Sequence, residues 1–410
     1  MSMKIKSLLV IFYFFSIYII NKTNIPINEQ FRNKIDYDNS LTNLACSIEK
    51  YFNITPKHKT LPFVDNLLNE KKPENVILLL VDGLGSKIIE KILNKNDYLI
   101  KNRKKDLFAV YPPTTAACLN SIKTGLNPSE HGWLGWTSYV EPIDKIIKLY
   151  YQVEKGKKKK DEDFLNIKDK YYFKKKTITE LINEAGKYLA YETNCYPYNV
   201  DYDIDNVFNN ILEKLKIKGK KYIFSTYPEP DEILHQYGEN SSKSIKEIKK
   251  INSKIEEYSK LILENNNTMM FIVADHGHII PKKVIDLRKR NRYNLLNKYL
   301  AKKEFFIESR SPMFKVKKGE EENFKNTFNK LYGKYFFLLS KEEILNYKLF
   351  GEFGINDKHE LFDSSLGDFM AISKDSASAC LLGNYDGNLY SYHGGNSDEE
   401  IYVPLIVISN

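Results

Sequence analysis

The stretch Asn75-Val76-Ile77-Leu78-Leu79-Leu80-Val81-Asp82-Gly83 is a short, unbroken apolar run that ends on a carboxylate and a glycine. A strand that is apolar at every position is buried on both faces, which is typical of parallel sheets. Similar runs recur at 222–224, 269–273 and 403–408. The sequence therefore predicts an α/β protein with a mainly parallel central sheet sandwiched by helices.

A long segment between the second and third runs has the pattern of a crossover helix. Residues 241–264 carry apolar side chains at helical spacing on one face. A strand, a helix and a strand in this order form a β-α-β unit. Because ligands bind beyond the carboxyl ends of such strands, we expect the residues that follow the strands to share one site.

Two segments interrupt this order. The lysine-rich run 155–163 predicts a solvated loop. Residues at about 300–365 have a strand, a helix and a strand of their own, which predicts a small inserted α/β cap. The catalytic domain as a whole is expected to span residues 40–410.

Composition limits the class of protein. The chain has 410 residues, 42% of them hydrophobic, and this excludes a disordered protein. Its net charge of +9 suits an anionic substrate or an anionic membrane surface, and no nucleic-acid-binding motif is present, so we expect no specific nucleic-acid binding. Its four cysteines lie far apart without a Cys-x-x-Cys pair, which excludes a zinc ribbon and a dense disulfide framework.

The N-terminal residues 1–24 have the pattern of a signal peptide or membrane anchor. Lys4 and Lys6 precede the apolar run 7–20, whose length fits a signal peptide better than a span of about 20 residues. We expect a secreted protein, or one tethered by residues 7–20 and facing away from the cytoplasm. The alternative is a cytoplasmic protein in which this run is a buried helix or strand.

Carboxylate and imidazole side chains follow the apolar runs or, in one case, precede the last of them. They are Asp82, Asp231, His235, Asp275, His276 and His393. Asp231 and His235 are four residues apart, so one helical turn points both the same way. A mixture of oxygen and nitrogen ligands favours zinc or a similar ion over calcium or magnesium.

A pair of threonines follows two prolines and supplies a candidate nucleophile. A helix can begin at Thr115 and end at Gly125. A hydroxyl at this position faces the positive end of the helix, where a phosphoryl oxygen is stabilised, and metal coordination would help to ionise it. Spacing alone does not distinguish Thr114 from Thr115, and a threonine here is also a common helix cap.

Together these stretches resemble the type I phosphodiesterase and nucleotide pyrophosphatase family of the alkaline phosphatase superfamily, especially its bacterial branch. The matching stretches occur in family order between about residues 40 and 408. They are Leu80-Val81-Asp82-Gly83, 111–132, 229–235, Ala274-Asp275-His276-Gly277-His278 and Tyr392-His393-Gly394-Gly395.

The resemblance implies an alkaline-phosphatase-like fold with two divalent metal ions, expected to be zinc. The implied ligands are Asp82, Thr115, Asp275 and His276 for one ion and Asp231, His235 and His393 for the other. It selects Thr115 as nucleophile, because the family's threonine lies nine residues before a Thr-Gly pair, here Thr124-Gly125. The implied reaction is hydrolysis of a phosphodiester or pyrophosphate bond in a small phosphorylated substrate, such as a nucleotide, through a phospho-threonine intermediate.

The chain departs from the family at one position. Eukaryotic members carry an asparagine that holds a phosphate oxygen, and this chain has Trp136 at about that place. Tryptophan cannot reproduce the amide contact, but it can stack on a base or cover an apolar leaving group. His131 and His278 match the family motifs without being ligands, and we expect them to have supporting roles.

Two other functions are compatible with the motifs. A phosphomonoesterase or phosphonate hydrolase would use the same dimetal scaffold. A non-enzymatic, membrane-tethered binding protein would keep the fold alone, but candidates at all seven ligand positions argue against it.

Overall fold

The computed structural model describes residues 35–157, 164–172, 175–194, 203–264, 267–289, 292–353, 357–374, 378–384 and 386–409. The chain divides into two compact units, 1–36 and 37–410, and the fold is that of the second. The predicted signal peptide or anchor and most of the lysine-rich run lie outside the described residues. Within the described ranges, no helix combines the length and the apolar character needed to cross a membrane.

The strands of the described residues are, in chain order, β1 (Asn75–Val81), β2 (Arg103–Phe108), β3 (Thr137–Val140), β4 (Lys145–Lys148), β5 (Val153–Glu154), β6 (Leu189–Thr193), β7 (Lys221–Tyr227), β8 (Thr268–Val273), β9 (Lys283–Asp286), β10 (Phe306–Ile307), β11 (Pro312–Phe314), β12 (Phe336–Ser340), β13 (Phe369–Ser373), β14 (Ala379–Leu382) and β15 (Tyr402–Ser409).

The α-helices of the same residues are α1 (Leu41–Tyr51), α2 (Pro62–Lys71), α3 (Ser86–Ile92), α4 (Tyr98–Asn102), α5 (Thr115–Thr124), α6 (Pro128–His131), α7 (Ile178–Ala185), α8 (Ile204–Leu215), α9 (Asp231–Tyr237), α10 (Ser242–Glu264), α11 (Arg292–Asn297), α12 (Glu321–Tyr332), α13 (Lys341–Asn346), α14 (Phe362–Ser365) and α15 (Asp398–Ile401). A 3₁₀ turn at Glu141–Ile143 and a π-helical turn at Lys168–Tyr172 complete the helical segments.

The central sheet has the strand order β2-β15-β8-β1-β7-β6. Strand β1 pairs in parallel with both β7 and β8, and all seven of its residues are buried. This confirms the prediction of a mainly parallel sheet from its continuous apolar run. Strand β15 is antiparallel to both of its neighbours, β8 and β2, so the other five strands share one direction.

The shared direction brings the functional segments to one edge of the sheet. Strands β1, β2, β7 and β8 all end at this edge, and the chain that follows each of them carries a predicted site residue. Because β15 runs the opposite way, it begins at the same edge, close to the segment that carries His393. The predicted crossover helix is α10, which leads from the segment after β7 to β8.

A second sheet of seven antiparallel strands has the order β12-β13-β11-β10-β3-β4-β5. Residues 300–365, for which the sequence predicted a small inserted cap, supply β10, β11 and β12 to it. The other strands come from 137–154 and from β13. The predicted strand-helix-strand unit is thus one part of a larger sheet, because its edges pair with strands that are distant in sequence.

The first residue of the predicted solvated loop departs from that prediction. The side chain of Lys155 is only 5% exposed and forms an ion pair with Asp386 at 3.0 Å. Its ammonium group also donates to the carbonyl oxygen of Phe305 and lies over the Phe305 ring. These contacts stabilise a buried lysine that the sequence alone marks as solvated.

Candidate active site

Six carboxylate and imidazole side chains meet at the edge where the strands end. Ligand-capable atoms lie within 4.8 Å of one another in three overlapping groups, one of which consists of Asp231, His276 and His278. The first triad is Asp82, Asp275 and His276, and the second triad is Asp231, His235 and His393. These two triads contain the carboxylate and imidazole members of the two ligand sets that the family resemblance implies.

Short local elements position these side chains. Asp231 begins helix α9, and His235 lies one turn later, so that His235 Nε2 is 3.4 Å from Asp231 Oδ1. Asp275 and His276 follow β8 directly, and His276 Nε2 lies 3.5 Å from both Asp82 Oδ1 and Asp275 Oδ2. The Asp275 carboxylate also accepts the backbone N–H of Gly83, which fixes it to the turn after β1.

The three histidines of the triads have the same tautomer. Each places Nδ1 near a backbone carbonyl oxygen, which can only accept, so Nδ1 carries the proton. The acceptors are Ser391 for His235 (2.8 Å), Gly277 for His276 (3.2 Å) and Pro113 for His393 (3.1 Å). The unprotonated Nε2 atoms of His235 and His276 therefore face carboxylate oxygens with no proton between them, which is an arrangement that a cation stabilises.

Some carboxylate oxygens of the site have no hydrogen-bond donor to balance their negative charge. Asp82 Oδ1 and Asp275 Oδ2 are buried and accept no hydrogen bond from any described residue. Burial, together with the charges of Asp275 and Asp231, raises the pKa of Asp82 well above its usual range. Two buried carboxylate oxygens without hydrogen-bond donors are costly unless a cation neutralises them. The donor set therefore fits two divalent cations, one at each triad.

Protonation of His393 does not supply this positive charge. Burial, and then the neighbouring His276, lowers the pKa of His393 well below its ordinary value. Burial acts to raise the pKa of Asp231, but His235 and His278 hold it well below the usual range. A neutral imidazole beside an ionised carboxylate is the state that binds a divalent transition ion.

The structure distinguishes the two candidate threonines. Thr115 is the first residue of α5, and its hydroxyl lies 3.3 Å from His276 Nε2, next to the first triad. Thr114 is fully buried, and its hydroxyl donates to Glu308 at 2.7 Å. Helix α5 ends at Gly125, which has the left-handed φ of 65° expected of a glycine stop.

His278 lies beside the second triad. Its Nε2 lies 2.7 Å from Asp231 Oδ1, and its Nδ1 lies 3.0 Å from the hydroxyl of Ser391. Ser391 in turn donates to the carbonyl of Leu234 on α9. Because the Ser391 hydroxyl donates its proton to Leu234, its oxygen accepts from His278 Nδ1, so neutral His278 has the same tautomer as the three triad histidines. His278 also belongs to a group of ligand-capable atoms with Asp231 and His276, and its supporting role stays a prediction.

The two glycines after His393 lie so close to charged side chains of other segments that a Cβ at either position would collide with them. A Cβ at Gly394, where φ is +89°, would lie 2.7 Å from Glu308 Cγ. A Cβ at Gly395 would lie 2.7 Å from both Arg310 Nε and Glu400 Oε2. Arg310 and Glu400 are fully buried and form a bidentate ion pair at 2.6 and 2.7 Å. This pair fastens the His393 segment to the second sheet.

A cavity of about 380 Å³ opens beside Thr115. Its walls come from both sheets and from the loop before the His393 segment. The residues that border it include Trp136, Lys148, Lys155, Asp231, Phe305, Glu308, Asp386 and His393. Trp136 packs its ring against Tyr150 and Tyr151, both at a centroid distance of 5.8 Å, and is therefore held in the cavity wall.

Glu308 is a site residue that the sequence reasoning missed. Its Oε1 accepts hydrogen bonds from the Thr114 hydroxyl at 2.7 Å and from the Trp136 backbone N–H at 2.8 Å. Burial raises its pKa to about 7, although these two donors act to lower it. No motif marks Glu308, because it comes from the second sheet. One signal is structural: the preceding Ile307 has a φ of 76°, a strained value for a β-branched residue.

Comparison with known proteins identifies a family for the chain. The family profile described as type I phosphodiesterase / nucleotide pyrophosphatase matches residues 76–380. No curated protein matches the chain. Residues 76–380 include six of the seven predicted ligand positions, all but His393.

Solved structures share the fold at low sequence identity. Murine ectonucleotide pyrophosphatase / phosphodiesterase 5 is 19% identical, with a TM-score of 0.60 over 80% of this chain and 87% of that chain. The human protein of the same name is 16% identical, with a TM-score of 0.59 over 81% and 87%. Phosphonoacetate hydrolase from Sinorhizobium meliloti 1021, in complex with phosphonoformate, is 17% identical, with a TM-score of 0.57 over 82% and 90%.

Proposed function

The chain belongs to the type I phosphodiesterase / nucleotide pyrophosphatase family and is a phosphoester hydrolase, and we propose that it cleaves phosphodiester or pyrophosphate bonds with Thr115 as the nucleophile. We further propose two divalent cations, zinc at both positions, held by Asp82, Asp275, His276 and Thr115 and by Asp231, His235 and His393. The donor chemistry supports zinc, because imidazole and carboxylate together suit it better than magnesium or calcium.

One observation carries the proposal. The Thr115 hydroxyl at the start of α5 lies beside the first triad, and the second triad lies next to the first. Cations at the two triads would stabilise the entering and leaving oxygens of an in-line displacement and help to ionise the threonine hydroxyl.

The chain's own groups account for the remaining steps. Thr115 Oγ attacks phosphorus, the bond from phosphorus to the ester or anhydride oxygen breaks, and the alcohol or phosphate leaves. Water then cleaves the phospho-threonine and restores the hydroxyl. The first backbone N–H groups of α5 lie at the positive end of a ten-residue helix, where they stabilise the phosphoryl oxygens.

We propose that the cavity binds the remainder of the substrate and that a nucleotide is one suitable occupant. Trp136 offers an aromatic face that can stack on a base or cover an apolar group. The murine neighbour, in an inactive threonine-to-alanine variant, is in complex with AMP. That structure supports the proposal that this fold can bind a nucleotide. It also supports the proposal that activity depends on a threonine.

A phosphonate hydrolase on the same scaffold is the second candidate, and the likeness to phosphonoacetate hydrolase is the observation that favours it. We no longer consider a non-enzymatic binding protein, because the chain belongs to a family of hydrolases.

For the cellular location, we propose a secreted or anchored protein on the basis of residues 1–24. Fractionation of cells that express the chain with and without these residues tests this proposal.

The decisive test compares Thr115→Ala and Thr115→Ser with the parent chain after loading with zinc. We expect Thr115→Ala to lower kcat on bis(4-nitrophenyl) phosphate by about 10³-fold or more, because removing a nucleophile leaves only binding and electrostatics. Thr115→Ser should retain measurable turnover. Mass spectrometry of acid-quenched parent chain should find a phosphoryl group on the peptide with Thr115. Unchanged hydrolysis by Thr115→Ala would refute the nucleophile assignment.

A further inference from the structure

Glu308 places a carboxylate in the wall of a cavity that is expected to receive anions. The residue borders the same cavity as Thr115 and His393. Its side chain bonds to Thr114, the neighbour of the nucleophile, and packs beside Gly394, the neighbour of a triad histidine. It therefore lies next to the position where a phosphoryl group must bind if Thr115 attacks it.

The carboxylate borders the cavity and has one oxygen engaged in two hydrogen bonds. Both donors, the Thr114 hydroxyl and the Trp136 backbone N–H, bond to Oε1. No described residue donates a hydrogen bond to Oε2. The two bonds hold the carboxylate in place, and the strained Ile307 backbone before it favours a functional reason for this placement.

The cavity wall also contains two lysines, Lys148 and Lys155, and two aspartates, Asp231 and Asp386. Lys155 is paired with Asp386 at 3.0 Å, so together they carry no net charge. Lys148 borders the cavity from β4, and Asp231 belongs to the second triad. A dianionic phosphoryl group in this cavity thus meets a fixed carboxylate, which is bonded to the backbone N–H of Trp136.

We infer that Glu308 is a specificity-determining residue that favours phosphodiesters, with one negative charge on the reacting phosphoryl group, over doubly charged phosphomonoesters. The inference rests on the proposed function and deepens it. Coulomb repulsion between Glu308 and the substrate scales with the charge on the phosphoryl group, so it is twice as large for the dianion at the same distance. Neutralising Glu308 helps both substrates, but it helps the monoester more.

The experiment measures kcat/KM for bis(4-nitrophenyl) phosphate and 4-nitrophenyl phosphate with zinc-loaded chain at pH 8.5. At this pH the monoester is a dianion, because its second pKa is near 6, and Glu308, with a pKa of about 7, is ionised. Glu308→Gln keeps an oxygen that accepts both existing hydrogen bonds while it removes the charge. We expect the monoester-to-diester ratio of kcat/KM to rise about tenfold.

Two further variants separate charge from structure. Glu308→Asp keeps the charge, and its ratio should stay within about threefold of the parent value. Glu322→Gln removes the same charge from the exposed face of α12, outside the cavity, and should change neither rate. If Glu308→Gln folds poorly, Glu308→Ala replaces it, and the ratio is again expected to rise although both rates fall.

Binding of inorganic phosphate gives a readout that is independent of turnover. By calorimetry, phosphate should bind the zinc-loaded Glu308→Gln variant about tenfold more tightly than the parent. An unchanged ratio and unchanged phosphate affinity, with both substrates still hydrolysed, would overturn the inference and leave the proposed function intact. If the parent chain hydrolyses neither substrate, the proposed function itself fails.

Discussion

The imidazole rings of His276 and His393 stack face to face, with centroids 3.8 Å apart and ring planes inclined by 16°. The two residues belong to different triads and are 117 positions apart in the sequence. Their contact makes the two proposed metal positions adjacent and structurally dependent on each other. Burial, and then the neighbouring His276, lowers the pKa of His393 well below its ordinary value, so the His393 ring is expected to be neutral in the working protein.

Replacement of His393 tests whether the second triad holds its own ion. His393→Ala removes one nitrogen ligand and the stacking partner of His276. We expect metal analysis of purified, zinc-equilibrated chain to fall from two ions to about one. His58→Gln, which changes a histidine paired with Glu130 away from the triads, is the matched control. Two tightly held ions in His393→Ala would contradict the proposed ligand set.

Replacement of His278 tests its supporting role at Asp231. The contact of 2.7 Å between His278 Nε2 and Asp231 Oδ1 orients the carboxylate, and loss of such a supporting group commonly costs 10–100-fold in metal affinity. We expect His278→Leu to weaken binding of one zinc ion by this factor in a chelator competition. The stronger ion should be unaffected. Equal loss at both ions, or at neither, would show that His278 does not act through Asp231.

The buried pair Arg310–Glu400 is expected to be important for both stability and metal binding. Glu400 also accepts the backbone N–H of Gly395, two residues after His393. Glu400→Ala leaves a buried guanidinium without its partner and should lower the free energy of unfolding by about 3–5 kcal/mol. We expect the double variant Arg310→Met with Glu400→Leu to recover part of this loss in urea unfolding.

The same variants also show whether the Arg310–Glu400 pair positions the His393 segment in addition to stabilising the fold. If the Arg310–Glu400 pair also holds the His393 segment, the double variant should still bind the second zinc ion more weakly than the parent chain. Full metal affinity in a double variant of restored stability would mean that the pair contributes to folding alone.

His131 is expected to make the chain sensitive to acid. Its Nδ1 accepts the Trp133 backbone N–H at 3.1 Å, so its Nε2 carries the proton and donates to Ser121. Burial lowers its pKa to about 3 from 6.5. Between these values the unfolded chain binds the extra proton and the folded chain does not, so stability falls as pH falls, by up to about 1.4 kcal/mol per pH unit.

The measurement compares His131→Gln with the parent chain by urea unfolding. The difference in unfolding free energy between the two should shift by about 2–3 kcal/mol from pH 6.5 to pH 4.5, in favour of the variant. Metal dissociation at low pH affects both chains and cancels in this difference. Parallel pH profiles would show that His131 titrates normally in the folded state.

Local patterns in the sequence were sufficient to predict four strands of the central sheet and helix α5. The apolar runs predicted β1, β7, β8 and β15, and the prolines and Gly125 predicted the bounds of α5. Each of these depends on neighbours within a few residues, through hydrophobic periodicity or backbone preference. The second sheet was harder to predict, because its short strands gain their order from pairing with distant segments.

The sequence by itself determined the strands of the central sheet, the helix that starts at Thr115, and, through the family resemblance, the side chains that meet at the edge of that sheet. Only the tertiary structure separated Thr115 from Thr114 by geometry, paired Lys155 with Asp386, and placed Glu308 in the cavity wall. The physical reason is range. Strands and helix ends follow from local preference, whereas a buried charge is stable only beside a partner that the folded chain brings to it from far along the sequence.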